Sequence, residues 1–163
     1  MKKVFFITLI TVLLFSVNAL AVDTALLDIH NKIFAEAKEI QSLLSDVKQK
    51  ALWKDAVLIN SMWDSCIMTM TQLDAYFSML GIFNTIKQKD IDETSINYLV
   101  DWLNSIKNNN SLNIRSLDEV SIQPVDAETK LHIGKLKRNF EELNRNIDVE
   151  LNKLTLFKKS SKK

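Results

Sequence analysis

The sequence predicts an all-α protein: a four-helix bundle or an elongated three-helix core with a shorter fourth helix, after a cleaved signal peptide. Three observations carry this expectation. The 163-residue chain has only two glycines and one proline, too few to punctuate the turns of a β-protein. It has no Asn-Gly or Asp-Gly hairpin signal and no sustained alternation of β-branched residues. Its apolar residues recur instead at steps of three and four over long stretches, the period of one helix face.

Residues 1–21 stand apart. Met1-Lys2-Lys3 is basic, and Val4 to Val17 is apolar except for Thr8, Thr11 and Ser16. Ala19-Leu20-Ala21 then places small residues where a signal peptidase reads. The run is shorter than the roughly 20 apolar residues of a spanning helix. Residue 22 is Val rather than Cys, so nothing is placed for lipid attachment. The expectation is an exported protein, periplasmic or secreted, soluble after signal cleavage. Residues 22–158 then form a single helical-bundle domain, and 159–163 a basic flexible tail. Cys66 is the only cysteine, which excludes an intramolecular disulfide and leaves stability to packing.

Charge is balanced overall but unevenly placed. Residues 90–128 carry eight acids and two bases, and residues 129–163 carry ten bases and four acids. The two stretches are expected to pair inside the fold. The balance gives no reason to expect nucleic acid. Lys158-Lys159-Ser160-Ser161-Lys162-Lys163 contains no apolar residue, and such an end can make weak contact with anionic surfaces.

The first helix is expected over residues 23–50, with a stripe of Leu26, Ile33, Ala37, Ile40, Leu44, Val47 and Ala51, and His30 in one slot. Asp28–Lys32 and Asp46–Lys50 are favourable pairs four apart. A turn is expected near residues 49–55, where the apolar faces of the two segments are offset; the competing reading is one very long helix, since no Gly or Pro lies between Val22 and Leu80. The second helix, residues 55–88, is apolar over a broad face, with Ile59, Met62, Trp63, Cys66, Ile67, Met70, Leu73, Tyr76, Phe77, Leu80 and Phe83. So apolar a helix is expected to be central. Gly81 within it suggests a close crossing or a bend.

The third helix is expected over residues 91–107, with Asp90 and Glu93 as a cap and Ile96, Leu99, Val100, Leu103 and Ile106 as its stripe. Asn108-Asn109-Asn110 ends it in this reading, and residues 111–123 form a linker. The fourth begins near Pro124, which suits a first helical turn. It runs to about residue 158 on Ile133, Leu136, Phe140, Leu143, Ile147, Leu151, Leu154 and Phe157.

Candidate chemistry is sparse. Met62, Cys66 and Met70 are four apart on one helix face, and two thioethers with a thiol suit Cu(I). Ile59, Leu73 and Phe77 share that stripe, so core packing is the favoured reading and no confident metal site follows. His30 and His132 are the only histidines. In an antiparallel bundle they are too far apart to share a metal or haem, and Glu128–His132 lacks the partner of a di-iron motif. Asp90 to Asp101 opens like a calcium loop. It has Ser95 where a turn-making glycine belongs and Asp101 where a glutamate belongs, so a cap is preferred. No phosphate loop, nucleophile elbow or haem-attachment motif occurs. Trp63 and Trp102 fall on apolar stripes, and Trp53 is the best exposed candidate.

No catalytic residue, cofactor or enzyme activity is assigned on this basis. The expected function is that of an exported, non-catalytic helical-bundle protein: a protein-binding or structural accessory component of the bacterial envelope or secreted space. Its partners are another protein or a second copy, met through helical faces. The alternative is a periplasmic Cu(I)-type binder using Met62, Cys66 and Met70.

Overall fold

The computed structural model describes residues 23–49, 53–86, 91 and 93–160. Residues 1–21, read above as a signal peptide, the expected cap residue Asp90, and the last three residues of the expected tail lie outside that range. So do the side chains of Val47 and Trp53. Four helices account for the described chain: α1 (Thr24–Gln49), α2 (Trp53–Thr85), α3 (Glu93–Ser121) and α4 (Ala127–Ser160). There is no strand among the described residues.

Pairing across the seams shows that every neighbour is antiparallel. On α1 and α4, Asp23 meets Lys153, Lys32 meets Glu142 at 2.7 Å, and Glu39 meets Lys135 at 2.7 Å. On α3 and α4, Glu93 meets Lys158 at 2.7 Å, Lys107 meets Asp148, and Asp118 meets Lys137. Trp102 Nε1 donates to the Gln72 carbonyl at 3.0 Å across α2 and α3. His30 faces Asp74 across α1 and α2. The result is an up–down–up–down four-helix bundle. The helices pack as a ring in the order α1, α2, α3, α4, with α1 and α3 on one diagonal.

The core follows the heptad-like stripes, with three shifts. In α1 the buried slot belongs to Ile29, and His30 moves to the flank beside α2. In α4 Glu150, rather than Leu151, is buried, and Leu151 packs at the core edge. The largest difference is in α3. The helix does not stop at Asn108-Asn109-Asn110; it continues to Ser121 through the expected linker. Asn110 occupies the next step after Leu99, Leu103 and Ile106 and is buried. Its Nδ2 donates to the Phe140 carbonyl at 2.6 Å and to Asn144 Oδ1 at 2.8 Å. A polar residue thus fills an apolar slot because α4 supplies acceptors, and Leu117 carries the stripe onward. With α3 at 29 residues against 26 for α1, the three-helix core with a short fourth helix is excluded.

Helix ends are set by capping aspartates. Asp23 Oδ1 accepts from Ala25 N at 2.8 Å. Asp126 Oδ1 accepts from Glu128 N and Thr129 N at 2.9 Å each, so α4 starts three residues after Pro124 rather than at it. Burial works to raise the Asp126 carboxyl. The bonds from Thr129 and from the Glu128 amide outweigh it and hold the group below the usual carboxylate range. Lys32 reaches across to Glu142 instead of back to Asp28. At the far end α4 extends through Lys158 and Lys159 to Ser160, so those two lysines continue the helix.

α2 is not central, because a ring of four has no central member. Its apolar surplus therefore lies partly on the outside. Gly81 marks no close crossing either: a Cβ built there meets nothing within 4 Å. Gly81→Ala should therefore stabilise the protein by about 0.5–1 kcal/mol through helix propensity and unfolded-state entropy. Phe140→Ala, which empties a fully buried site, should cost about 3–5 kcal/mol. Urea unfolding followed by circular dichroism measures both.

Candidate functional site

The three sulfur residues lie together on the inner face of α2. Met62, Cys66 and Met70 are all buried, in line with Ile59 and Leu73. Burial, and then the charge of Glu36, pushes the Cys66 thiol up to about 12. A thiolate ligand or nucleophile at this position must be made against that cost. Trp63 and Trp102 pack partly buried against the same core.

The two histidines are held apart, as an antiparallel arrangement requires. His30 Nε2 stands 3.1 Å from Asp74 Oδ1, and the ring meets Phe77 edge-on at 6.0 Å. The contact is close but poorly directed, since neither imidazole nitrogen has a well-aligned hydrogen-bond partner. His132 belongs to a different cluster. Its Nδ1 is 2.6 Å from Glu36 Oε1 and 3.9 Å from Glu39 Oε2. Glu36 lies six residues beyond His30 on α1, about 9 Å of helix.

This cluster has a simple helical logic. Glu36 and Glu39 are three apart on α1, and His132 and Lys135 are three apart on α4, so each pair projects from one helix side. Antiparallel packing brings the pairs face to face. Lys135 Nζ lies 2.7 Å from Glu39 Oε2 and 3.9 Å from Glu36 Oε2. Its hydrogen bond, and then its charge, hold the Glu39 carboxyl below the ordinary range. Glu36 and His132 are buried, whereas the Glu39 side chain is 55% exposed. A search for Glu-x-x-His within one helix misses this arrangement. Its one sequence signal is Glu36, an acid set between Ile33, Ala37 and Ile40 on a core-facing stripe.

A second polar group is buried near the other end of α1. The Tyr76 hydroxyl donates to Glu150 Oε1 at 2.9 Å, and both side chains are buried. Lys153 Nζ stands 3.5 Å from Glu150 Oε2 and also pairs with Asp23. Burial raises the Glu150 carboxyl more than Tyr76 and Lys153 lower it. Burial, and then the charge of Glu150, raises the Tyr76 phenol.

The outer surface of α2 is poor in charge and carries several exposed apolar residues. Between Ala56 and Ile86 the only charged residues are Asp64 and Asp74. Val57, Met68 and Ile82 follow one outward stripe, 73%, 43% and 60% exposed, and Ile67 is exposed beside them. Leu27 and Phe34, both exposed, sit three before and four after His30. They therefore share its α2-facing flank. Lys38 lies over the Phe34 ring at 4.3 Å. No helix among the described residues is long and apolar enough to cross a membrane.

Comparison with known proteins finds no matching family model, no similar curated protein and no similar solved structure.

Two outcomes follow from the buried groups. Cys66 should resist a thiol reagent such as dithionitrobenzoate in the native protein and react fully in urea. Glu150 has a raised carboxyl, so between the unfolded and folded values the native state binds the extra proton. Its contribution to stability falls as pH rises through that window. Glu150→Gln keeps an acceptor for Tyr76 and removes the buried charge. It should be more stable than wild type at about pH 8 and lose that advantage below about pH 4, as read by thermal melts across pH.

Proposed function

We propose that this is an exported, non-catalytic helical-bundle protein, a structural or accessory component of the bacterial envelope or secreted space. It acts by association through helical faces. The observation that supports this reading best is the outward stripe of α2, where Val57, Met68 and Ile82 are exposed with only Asp64 as a charge nearby. A surface helix normally turns charge to water; here exposed apolar residues alternate with uncharged Asn60, Ser61, Thr71 and Ser78 along one side, and apolar area of this kind favours an interaction site. The sequence pattern of residues 1–21 supports export.

The occupant we assign to this face is a second copy of the chain. An isologous interface sets the same patch against itself, and a stripe whose one nearby charge is Asp64 meets little like-charge repulsion in doing so. Size also fits. α2 has 33 residues, about 50 Å of helix. With the flank of α1 it offers a strip about 20 Å wide, enough for the roughly 800 Å² per partner of a stable interface.

Size-exclusion chromatography with light scattering should give a dimer. The triple variant Val57→Ser, Met68→Ser, Ile82→Ser should be a monomer with unchanged helicity. Wild-type protein that stays monomeric up to millimolar concentration would overturn self-association through this face.

A further inference from the structure

We infer that Glu36, Glu39 and His132 form a binding site for one divalent first-row transition ion, of the Zn²⁺ class, bridging α1 and α4. One donor atom from each of these residues lies within 4.8 Å of the other two. Two carboxylate oxygens and an imidazole nitrogen are a donor set that Zn²⁺ and its neighbours accept, with a fourth position left to solvent or another ligand.

The two separations from His132 need little change. Ligands at about 2.0–2.2 Å in a tetrahedral shell stand roughly 3.3–3.5 Å from one another. His132 Nδ1 and Glu36 Oε1 are now 2.6 Å apart, and Nδ1 and Glu39 Oε2 are 3.9 Å apart. One contact must open and the other close, each by less than about 1 Å, within the reach of a glutamate rotamer adjustment. The site also has an entrance. A groove of about 250 Å³ runs along the α1–α4 seam, lined by Ala35, Glu36, Glu39 and Asn139 together with three bases, Lys32, Lys135 and Arg138. Two of the three donors are buried and so fixed by the core, while Glu39 is on the exposed side and completes the shell.

The Lys135 ammonium now holds Glu39, and it is the competitor. A cation replaces a cation: the ion takes the carboxylate that Lys135 releases, and the exposed lysine swings to water. This gives the site an opposite-sign signature that a plain salt-bridge network lacks. Removing Lys135 weakens such a network, but it strengthens an ion site by deleting a positive charge a few ångströms from the metal, an effect on the order of tenfold in affinity.

The test is titration of the purified protein with ZnSO₄ against a chromogenic chelator, paired with thermal melts. Wild type should take up one Zn²⁺ per chain and melt at a higher temperature with it. Lys135→Ala should bind about tenfold tighter. Glu39→Gln, at a half-exposed position that leaves the core intact, should bind at least roughly 10–100-fold more weakly. His132→Gln should bind no better than Glu39→Gln. Cys66→Ser should bind as wild type does. The inference fails if neither wild type nor Lys135→Ala takes up zinc, or if Glu39→Gln binds unchanged. It also fails if Cys66→Ser abolishes uptake, which moves the ion to the sulfur face of α2.

Discussion

The bundle depends on the meeting of α1 with α4. These helices are the farthest apart in sequence, and the ring closes only where they touch. Apolar stripes supply the attraction, but an apolar stripe alone tolerates sliding. Polar pairs set the register: Asp23 with Lys153, Lys32 with Glu142, Glu36 with His132, and Glu39 with Lys135. Exposed pairs of this kind are worth little each, at most about 1 kcal/mol. The buried Glu36–His132 pair is different, since displacing it leaves a polar group in the core without a partner. Such pairs act mainly by making wrong registers costly. With Cys66 as the single cysteine, no covalent link shares this task.

The same seam explains where chemistry collects. On the α3–α4 seam the buried Asn110 is anchored within the bundle interior by its Nδ2, which donates to the Phe140 carbonyl and Asn144, while its Oδ1 has no hydrogen-bond partner among the described residues. The α1–α4 seam instead brings carboxylates and an imidazole up to a groove open to water. α2 lies below them with its thiol close enough to feel the charge of Glu36. Three helices thus converge on one polar point, separate from the buried Tyr76–Glu150 pair and from Asn110.

Fold class was legible in the sequence because a long three-and-four stripe has one physical meaning. The all-α assignment follows from it, whereas the break between α1 and α2 was only weakly marked, because no Gly or Pro lies between Val22 and Leu80. Asn110 was not legible as a helix residue, because three asparagines in a row favour a turn by local propensity. What overrides that preference is the carbonyl of Phe140, thirty residues away. His30 and Leu151 were expected in the slots that Ile29 and Glu150 fill for a related reason: several phases of a stripe differ by one residue, and only the neighbouring helix chooses among them. The Glu36–Glu39–His132 cluster depends on the register between α1 and α4, which no single-helix pattern contains. The apolar character of α2 was plain in composition, but composition does not say which part of a helix faces out.

The pairing of Asp23 with Lys153 has one more consequence. It sets the first turn of α1 beside the last turns of α4, so the beginning and the end of the described chain share one pole of the bundle. The end of α1 and the start of α2 lie at the opposite pole. The order of the helices around the ring is therefore independent of where the chain is cut. A circularly permuted chain, opened between α1 and α2 and joined by a short linker at the shared pole, keeps every seam and reads α2, α3, α4, α1.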